Sequence, residues 1–403
     1  MSAGTRAQET VLNQNKMADK KEIDIYGLAY GGYGVGKIDG KVCFVEGALP
    51  GEKVNFSIKE NKKNFMTGIT ADILVSSSDR IKPICSYYGE CGGCQYQHLS
   101  YEKELISKSQ QVVELMQRIG GIKDFECKDI VSSNSCYGYR ASITLHRSEN
   151  AYGYFSKDNK TILGIDSCPL AVQEINRKIP TLFNISKKKN ITIKSSVSGN
   201  VYISNQPGGR FYTDRLLNAD ITFSPLAFSQ TNPHIASSMA TWLCESVKQA
   251  CDKGKLFDLF CGVGFFGILL RGLFDTVVGI DNSSIAIDCA VQTKKSLNAE
   301  NIKFYCADVD KYFPANYEKM GKCSSVILVD PPRSGLNRVL AEYLADIKNA
   351  HSLYYVSCDP STLARDARII TKKSNWQLAR LACFDMFART KHIETIAVFK
   401  RQG

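Results

Sequence analysis

The chain has 403 residues and a net charge of +11, with 44% hydrophobic and 23% charged residues. A chain of this length and composition folds as two or three globular domains with at least one large buried core. It contains no apolar run of the about 18 residues that a membrane-spanning helix needs, which argues against a membrane protein.

The positive charge is concentrated in two stretches. Residues 151–200 hold eight Lys and Arg against three Asp and Glu, and residues 351–403 hold nine against four. Clustered basic charge favours a polyanionic partner such as a nucleic acid, because neutralised phosphates contribute affinity that does not depend on sequence. Charge alone does not exclude a solvated surface, which is the simpler interpretation of the three lysines at 187–189.

The chain begins with polar residues and continues with short β-rich runs. Residues 1–21 lack the apolar core of a secretory signal and are predicted to be a disordered lead-in, so we expect a cytoplasmic protein. Residues 22–78 alternate five β-type runs with glycine turns, which predicts a small barrel of the OB type. Such barrels bind single-stranded nucleic acid.

The stretch CSYYGECGGCQYQH places Cys85, Cys91 and Cys94 close together. The three could form disulfides, bind a metal or occur together by chance. The total of fifteen cysteines is odd and no export signal precedes them, so we interpret them as metal ligands. A thiolate site usually has four ligands, and the spacing does not identify the fourth. An amphipathic helix and a β-rich segment follow, and we assign 79–225 to a central domain.

From residue 226 onward the pattern becomes that of an α/β domain. Asn232 and Pro233 begin a helix, and helical stretches then separate the short apolar runs KLFDLF, DTVVGID, KFYCADV, SSVILVD and SLYYVSCD. This alternation predicts a doubly wound parallel sheet over 226–403.

Functional side chains are expected where these strands end. The glycine-rich turn at 262–267 fits a nicotinamide enzyme as well as a methyltransferase. Asp281 closes the second strand, Asp308 the third and Asp330 the fourth. Acidic groups at the carboxyl ends of consecutive parallel strands converge on one crevice. Three of them with a DPP turn resemble the class I S-adenosylmethionine methyltransferases, although Asp308 could instead cap a helix.

Two further residues are candidates for catalysis. Cys358 lies at the tip of the fifth strand, directly before a predicted helix whose dipole would lower its pKa and favour a thiolate nucleophile. Glu394 interrupts the apolar run IETIAVF, where a carboxylate in a closed pocket can act as a general base. The alternatives are a buried small residue for Cys358 and an ion pair with Arg389 or Lys391 for Glu394.

Together these motifs resemble those of the RNA uracil-5-methyltransferases over nearly the whole chain. The resemblance includes a barrel of the TRAM type, Cys-x5-Cys-x2-Cys followed by QYQHLSYEKELISK, FSQTN at 228–232, DLFCGVG, VDPPRSG, VSCDPSTLARD and HIETIAVF. DPPRSG followed by VSCDP is specific, whereas the glycine loop is not. The resemblance implies an S-adenosyl-L-methionine-dependent enzyme that methylates C5 of a uridine in RNA.

The resemblance also implies roles for single residues. The ligands of a [4Fe–4S] cluster would be Cys85, Cys91, Cys94 and, in GIDSCPLA, Cys168. The contacts to the cofactor would come from Gln230, Phe260, Phe265, Asp281, Asp308 and Asp330. Two positions depart from the family pattern, because Phe265 stands where Asn or Thr is common and Asp281 where Glu is common. We expect the cluster to be structural, since other residues supply the chemistry.

Uracil chemistry accounts for the two catalytic candidates. Uracil C5 is a poor nucleophile, and addition of the Cys358 thiolate to C6 turns the ring into an enolate whose C5 can accept a methyl group. Glu394 then removes the C5 proton, and Asp330 with Arg333 would hold the uracil edge. The base has to be flipped out or single-stranded to reach such a site.

By resemblance, the TRAM domain and the cluster favour 23S rRNA as the substrate, with tRNA as the alternative. No obligate protein partner is expected. A radical methylthiotransferase also combines a TRAM domain with a cluster, but its cysteine spacing is x3 and x2. RNA cytosine-5-methyltransferases usually have Pro-Cys and Thr-Cys motifs, whereas this chain has Ser357-Cys358. A non-catalytic RNA-binding or assembly factor is disfavoured by the intact Cys358 and Glu394.

Overall fold

The computed structural model describes residues 20–128, 130–204, 211–249, 254–320, 325–372 and 374–401. Residues 1–19 of the predicted lead-in lie outside this range, and Lys20 and Lys21 belong to the first strand. The chain forms two compact units. The first contains the described residues up to Pro83 and Gln95–Ser107, and the second contains Ile84–Cys94 and the described residues from Lys108 onward. No helix in the described ranges is long and apolar enough to cross a membrane.

The first unit is a closed five-stranded barrel, as predicted. Its strands are β1 (Lys20–Ala29), β2 (Tyr33–Ile38), β3 (Lys41–Glu46), β4 (Lys53–Asn61) and β5 (Phe65–Val75), in the order β1-β2-β3-β5-β4. Alternate side chains point inward, so that Ile23 and Ile25 of β1 pack in the same core. Gly68 permits close strand packing, because a Cβ there would lie 2.4 Å from the Ser57 carbonyl oxygen.

The helix predicted after the cysteine segment is α1 (Tyr101–Leu115), and its last turns belong to the second unit. The segment that follows it builds a small sheet with short helices. The sheet has the order β11-β10-β7-β8-β9. Its elements are β7 (Ser142–Arg147), β8 (Tyr152–Phe155), β9 (Ile162–Gly164), α2 (Gln173–Asn176), α3 (Leu182–Ile185), β10 (Asn190–Ser195) and β11 (Val201–Ile203). A separate hairpin consists of β12 (Tyr212–Leu216) and β13 (Ala219–Phe223).

The rest of the second unit is a doubly wound α/β domain, which confirms the predicted fold. Its eight-stranded sheet has the order β16-β15-β14-β17-β18-β20-β19-β6. The strands are β6 (Glu126–Cys127), β14 (Lys255–Leu259), β15 (Thr276–Asp281), β16 (Ile302–Cys306), β17 (Ser325–Val329), β18 (Ala350–Ser357), β19 (Trp376–Phe384) and β20 (Glu394–Arg401). The helices are α4 (Pro233–Lys248), α5 (Phe265–Leu270), α6 (Ser284–Ser296), α7 (Val309–Asn316), α8 (Arg338–Asp346) and α9 (Pro360–Lys372).

Both faces of this sheet are covered by apolar cores. Leu256 and Phe257 are neighbours on β14 and belong to different cores, because successive side chains of a strand point to opposite faces. All five residues of β17 are buried, as expected for a parallel strand covered on both sides. The chain order reverses at β14, which lies between β15 and β17. Ligands of open α/β sheets bind at the carboxyl ends of strands beside such a reversal.

Candidate active site

A cavity of 710 Å³ opens at the carboxyl edge of the sheet. Its lining includes seven of the residues predicted for catalysis or cofactor binding, namely Gln230, Phe260, Phe265, Asp281, Asp330, Cys358 and Glu394. Arg333 of the DPPR turn lines the same cavity. The structure therefore brings together residues that lie more than a hundred positions apart in the sequence.

The turn after β14 presents its backbone to the cavity. Phe260 has a left-handed φ of 61°, a conformation that is rare for an aromatic residue and costs on the order of 1–3 kcal/mol. Gly262 follows with a φ of 54°, and its N–H donates to Asp281 Oδ2 at 2.9 Å. The Ser283 N–H donates to Asp281 Oδ1 at 2.8 Å. Two backbone donors thus fix the Asp281 carboxylate at the mouth of the turn.

Several buried polar atoms of the cavity wall have no hydrogen-bond partner among the residues that the structure describes. Gln230 Oε1, Thr231 Oγ1 and Asp310 Oδ1 are buried and accept or donate no hydrogen bond among the described residues. A buried polar atom without a partner costs about 1–3 kcal/mol. A wall with three such atoms fits a polar ligand that supplies the missing hydrogen bonds. The residues present therefore suit a cofactor with amino and hydroxyl groups.

Asp308 does not line the cavity. Its side chain caps α7 by accepting the N–H of Asp310 at 3.0 Å, and it lies 3.6 Å from the Lys311 ammonium. About half of the Asp308 side chain is exposed. The capping alternative therefore describes this residue, and Asp310, two positions further along, lines the cavity instead.

The pKa of the Asp330 carboxyl is raised to about 7, first by burial and then by repulsion from Asp281. Asp258, on β14 below the glycine turn, has a pKa raised to about 8, again chiefly by burial. Its Oδ2 accepts the Gly267 N–H at 2.9 Å. The three neighbouring carboxyls therefore do not all ionise at neutral pH, and Asp330 changes its charge near pH 7.

The environment of Cys358 differs from the prediction that a helix dipole lowers its pKa. Burial raises the pKa of the thiol to about 12, and repulsion from Glu394 adds to this effect. The N-terminus of α9 is occupied by Asp359, whose Oδ1 accepts the N–H groups of Ser361 at 2.9 Å and Thr362 at 3.3 Å. The positive end of the helix thus stabilises the Asp359 carboxylate, and Cys358 is a neutral thiol at pH 7.

Glu394 is the first residue of β20, and its side chain is 3% exposed. Burial holds the pKa of its carboxyl well above the usual value, Asp330 raises it further, and Arg333 offsets part of the shift. The same Arg333 and burial lower the pKa of nearby His392 to about 3, so that this imidazole is neutral. Arg333 is therefore the cation that acts on Cys358, Glu394 and His392 alike.

Other residues of the cavity wall were not predicted from the sequence. They include Ser195, Tyr212, Asp214, Phe228, Asp310 and Phe387. Phe228 lies two residues before Gln230 and is 71% exposed, which is unusual for a large apolar side chain. The motif FSQTN was the only available signal for it. Tyr212 and Asp214 come from the β12–β13 hairpin, for which the sequence offered no motif.

The cysteine segment packs against the small sheet of the second unit. The Gly92 N–H donates to the Phe155 carbonyl at 3.1 Å, at the end of β8. The Asp166 N–H donates to Tyr87 Oη at 3.1 Å. These bonds place residues 85–94 beside the loop that carries Cys168.

The thiols of Cys85, Cys91, Cys94 and Cys168 are all partly buried. Burial raises the pKa of Cys91, and repulsion from Cys168 and Cys85 raises it further. In the part of the chain that the structure describes, however, no group of three or more His, Cys, Asp or Glu is arranged to hold a metal ion. The donor set is that of a soft metal site, and the predicted cluster is not confirmed.

Comparison with known proteins gives matches over nearly the whole chain. Residues 218–402 match the family model described as tRNA (uracil-5-)-methyltransferase, and residues 19–70 match the TRAM domain. An uncharacterized RNA methyltransferase of Aquifex aeolicus is 32% identical, over 95% of this chain and 99% of the relative. The 23S rRNA (uracil(1939)-C(5))-methyltransferase RlmD of Aliivibrio fischeri is 30% identical, over 94% of this chain and 96% of the relative.

A solved structure is similar in fold. It is Pyrococcus abyssi tRNA (uracil-54, C5)-methyltransferase in complex with S-adenosyl-L-homocysteine. The TM-score is 0.71 at 22% identity, and the match covers 94% of this chain and 100% of that one. At this identity the likeness shows the fold alone.

Proposed function

The chain belongs to the family of S-adenosylmethionine-dependent RNA uracil-5-methyltransferases, and from this premise we propose that it methylates C5 of a uridine in 23S rRNA. Relatives named 23S rRNA (uracil(1939)-C(5))-methyltransferase RlmD, which match over almost their full length, support the ribosomal substrate. tRNA is the alternative, because the matching family model is described by a tRNA activity. The observation that carries the proposal is the single cavity shared by Cys358, Glu394 and Gln230.

S-adenosyl-L-methionine would be held by the residues beside the glycine turn. The unpartnered Gln230 Oε1 accepts hydrogen bonds from an amino group, and Asp281 is fixed by its two backbone donors to accept from ribose hydroxyls. Phe260 and Phe265 supply apolar surface in the same wall. The cofactor supplies an electrophilic methyl group on a sulfonium.

Cys358 is the proposed nucleophile. Its sulfur forms a bond to uracil C6, and the electrons of the C5–C6 double bond move toward O4 to give an enolate. The thiol proton passes to solvent in this step, because a pKa of about 12 keeps the group protonated in the free protein, and the thiolate released at the end of the reaction takes a proton back. The charge of Arg333 favours that loss. C5 then forms its bond to the methyl carbon as the methyl–sulfonium bond breaks.

Glu394 is the proposed base that completes the reaction. It takes the proton from C5, the C5–C6 double bond forms again, and the bond from C6 to Cys358 breaks. A carboxylate whose pKa is held well above the usual value is a better base near neutral pH than an exposed one. The products are 5-methyluridine, S-adenosyl-L-homocysteine and one proton. Asp330 and Arg333, in the same cavity, would hold the uracil edge.

The [4Fe–4S] cluster remains part of the proposal as a structural element. Support comes from the repulsion that Cys168 and Cys85 exert on Cys91, and from the hydrogen bonds that hold residues 85–94 beside the loop of Cys168. Four thiolates are the usual ligand set of such a cluster. Protein purified without oxygen should contain iron and acid-labile sulfide, and Cys168→Ala should lose both. A native protein free of iron would remove the cluster from the proposal.

The reaction is tested by replacing the nucleophile. Cys358→Ala should abolish methyl transfer to 23S rRNA while RNA and S-adenosyl-L-homocysteine still bind, because neither ligand needs the sulfur for affinity. Methylation that survives this change excludes the covalent mechanism. Mass-spectrometric mapping of 5-methyluridine in RNA from cells that lack the protein decides the substrate. Loss from tRNA alone would overturn the ribosomal assignment. A cytoplasmic location is part of the same proposal.

A further inference from the structure

Lys194 is a buried cation whose hydrogen bonds all reach one short segment. Lys194 lies on β10 and is 3% exposed. Its Nζ donates to the Ser224 carbonyl at 3.2 Å and to Ser229 Oγ at 3.0 Å, and it also contacts the Ala227 carbonyl oxygen. All three acceptors lie directly before Gln230 of the cofactor wall.

The small sheet also binds the C-terminal end of this segment, through the residue directly before β7. The Ala141 N–H donates to the Thr231 carbonyl at 2.8 Å. Ala141 in turn accepts the Ser195 N–H at 2.8 Å, next to Lys194. Residues 224–231 are thus held on both sides of Gln230 by β10 and the residue that precedes β7.

The segment needs hydrogen-bond donors from other elements, because its residues do not belong to a strand or a helix. Residues 224–231 lie between β13 and α4 and form neither strand nor helix. Ser224 and Ala227 are buried, so their carbonyl groups require hydrogen bonds from the protein. Lys194 supplies them although its burial is costly, and burial lowers its pKa to about 8. Its acceptors are carbonyl and hydroxyl oxygens, so no carboxylate compensates the charge there.

The position of Lys194 also separates it from its sequence neighbours. It is one of the eight basic residues of 151–200, and Lys187, Lys188 and Lys189 of that stretch are exposed. A side chain that is 3% exposed cannot contact an RNA phosphate without unfolding of its surroundings. Its charge therefore acts inside the protein, on the wall of the cavity.

We propose that Lys194 is a positioning residue that sets the affinity for the cofactor by holding residues 224–231, and with them Gln230, in place. The inference rests on the proposed binding of S-adenosyl-L-methionine in this cavity. It assigns to the small sheet a role in cofactor binding that is separate from any contact with RNA. A lysine that merely stabilised the fold would affect all ligands and the turnover alike.

The test uses Lys194→Met, which keeps the apolar stem and removes the donors. We expect the dissociation constant of S-adenosyl-L-homocysteine, measured by calorimetry without RNA, to rise about tenfold, equivalent to about 1.4 kcal/mol. KM for S-adenosyl-L-methionine should rise to a similar extent, while kcat and the affinity for RNA change less than about twofold. Lys194→Arg should restore part of the cofactor affinity, since it returns a cationic donor. The matched control is the exposed Lys189→Met, which should leave cofactor affinity unchanged.

A second variant covers the case that Lys194→Met does not fold. Ser229→Ala removes one acceptor and leaves the lysine in place, and it should weaken S-adenosyl-L-homocysteine binding about two- to fivefold. A folded Lys194→Met with unchanged cofactor affinity, or an unchanged Ser229→Ala when the lysine variant cannot be obtained, overturns the inference. If the native protein itself binds no S-adenosyl-L-homocysteine, the proposed function fails and the inference fails with it.

Discussion

At the scale of single residues, the surroundings of Cys358 determine its chemistry more than its position before a helix. Sequence order placed it at a strand end, and the structure places it there. Its pKa was predicted with the wrong sign, because sequence order does not show that Cys358 is buried or that Glu394 lies nearby. The capping role of Asp359 directly before Pro360 was a signal in the sequence that the prediction did not use. In the proposed mechanism the thiol therefore has to lose its proton in the substrate complex before it can attack the base.

Loss of the Glu394 charge should make Cys358 more reactive toward alkylating agents, although it abolishes methyl transfer. Glu394→Gln removes the charge that raises the pKa of Cys358, so alkylation of Cys358 by iodoacetamide should become faster while methyl transfer is lost. The thiolate fraction rises about tenfold for each unit by which the pKa falls, and the alkylation rate rises by less than that, because a thiolate of lower pKa is a weaker nucleophile. The ratio of variant to parent should grow as the pH rises through the raised pKa of Glu394, because Glu394 repels the thiolate only where it is ionised.

Mass spectrometry of the peptide that contains Cys358 separates its alkylation from that of the other cysteines. Glu342→Gln on α8 is the matched control, because Glu342 pairs with Arg338 on the surface. Equal alkylation rates in Glu394→Gln and the parent at every pH would show that Glu394 does not set the reactivity of the thiol.

A motif that fixes both the residue type and its place at a strand end predicted the position of that residue at the cavity, while its role stays a prediction. Asp281 ends β15, and Asp330 and Cys358 come directly after β17 and β18. The carboxyl ends of parallel strands in one sheet lie at the same edge, so these side chains are expected in one crevice. Asp308 follows β16 in the same way, but its side chain turns to the local N–H of Asp310. The choice between a cap and a pocket depends on a side-chain rotamer, which sequence order does not determine.

At the scale of elements, the strands and helices were predictable from local patterns, whereas their neighbours in the sheet were not. The alternation of apolar runs and helical stretches identified β14 to β18. The antiparallel insertion of β20 between β18 and β19 depends on long-range pairing, as does the addition of β6 at the sheet edge. The β12–β13 hairpin is a local pairing, but its two-residue turn, Leu217-Asn218, lacks the glycine that marks most such hairpins. It was therefore missed, and with it Tyr212 and Asp214 of the cavity wall.

One buried ion pair helps to hold the segment between β19 and β20. Lys108 of α1 donates to Asp385 Oδ1 at 2.7 Å, and the two side chains are 1% and 0% exposed. The same Nζ donates to the Phe387 carbonyl at 3.2 Å, and Phe387 lines the cavity. The pair therefore fixes the backbone that leads to Glu394.

Removal of one partner of this ion pair should strongly lower the free energy of unfolding. Lys108→Met leaves the Asp385 carboxylate buried without its cation, and we expect the free energy of unfolding to fall by about 3–5 kcal/mol in urea denaturation. The double variant Lys108→Met, Asp385→Leu should recover part of this loss, since no unpaired charge remains. The surface pair is the control, and Arg338→Met should cost less than about 1 kcal/mol. A loss of similar size for both pairs would contradict the assignment.

At the scale of the whole molecule, the two basic stretches contain both buried and exposed cations. Lys194 in the first is buried against residues 224–231, and Arg389 in the second is 4% exposed. Net charge and its distribution predicted a polyanion as the partner, and the family supports that partner. Which cations face the RNA depends on exposure, which a charge count does not contain. The exposed Lys187, Lys188 and Lys189, first interpreted as a solvated surface, are the better candidates.

The salt dependence of RNA binding tests this assignment, because each lysine that neutralises a phosphate contributes about 0.7 to the slope of log affinity against log salt for single-stranded RNA. Replacement of Lys187, Lys188 and Lys189 by Gln should therefore lower the slope by up to about 2 if all three contact phosphates. The measurement uses a 23S rRNA fragment and the Cys358→Ala background, so that no product forms. Lys294→Gln with Lys295→Gln, at the end of α6, is the control and should keep the parent slope. If the slope of the triple variant is unchanged while S-adenosyl-L-homocysteine still binds as in the parent, these three lysines do not contact the RNA. Other cations would then bind its phosphates.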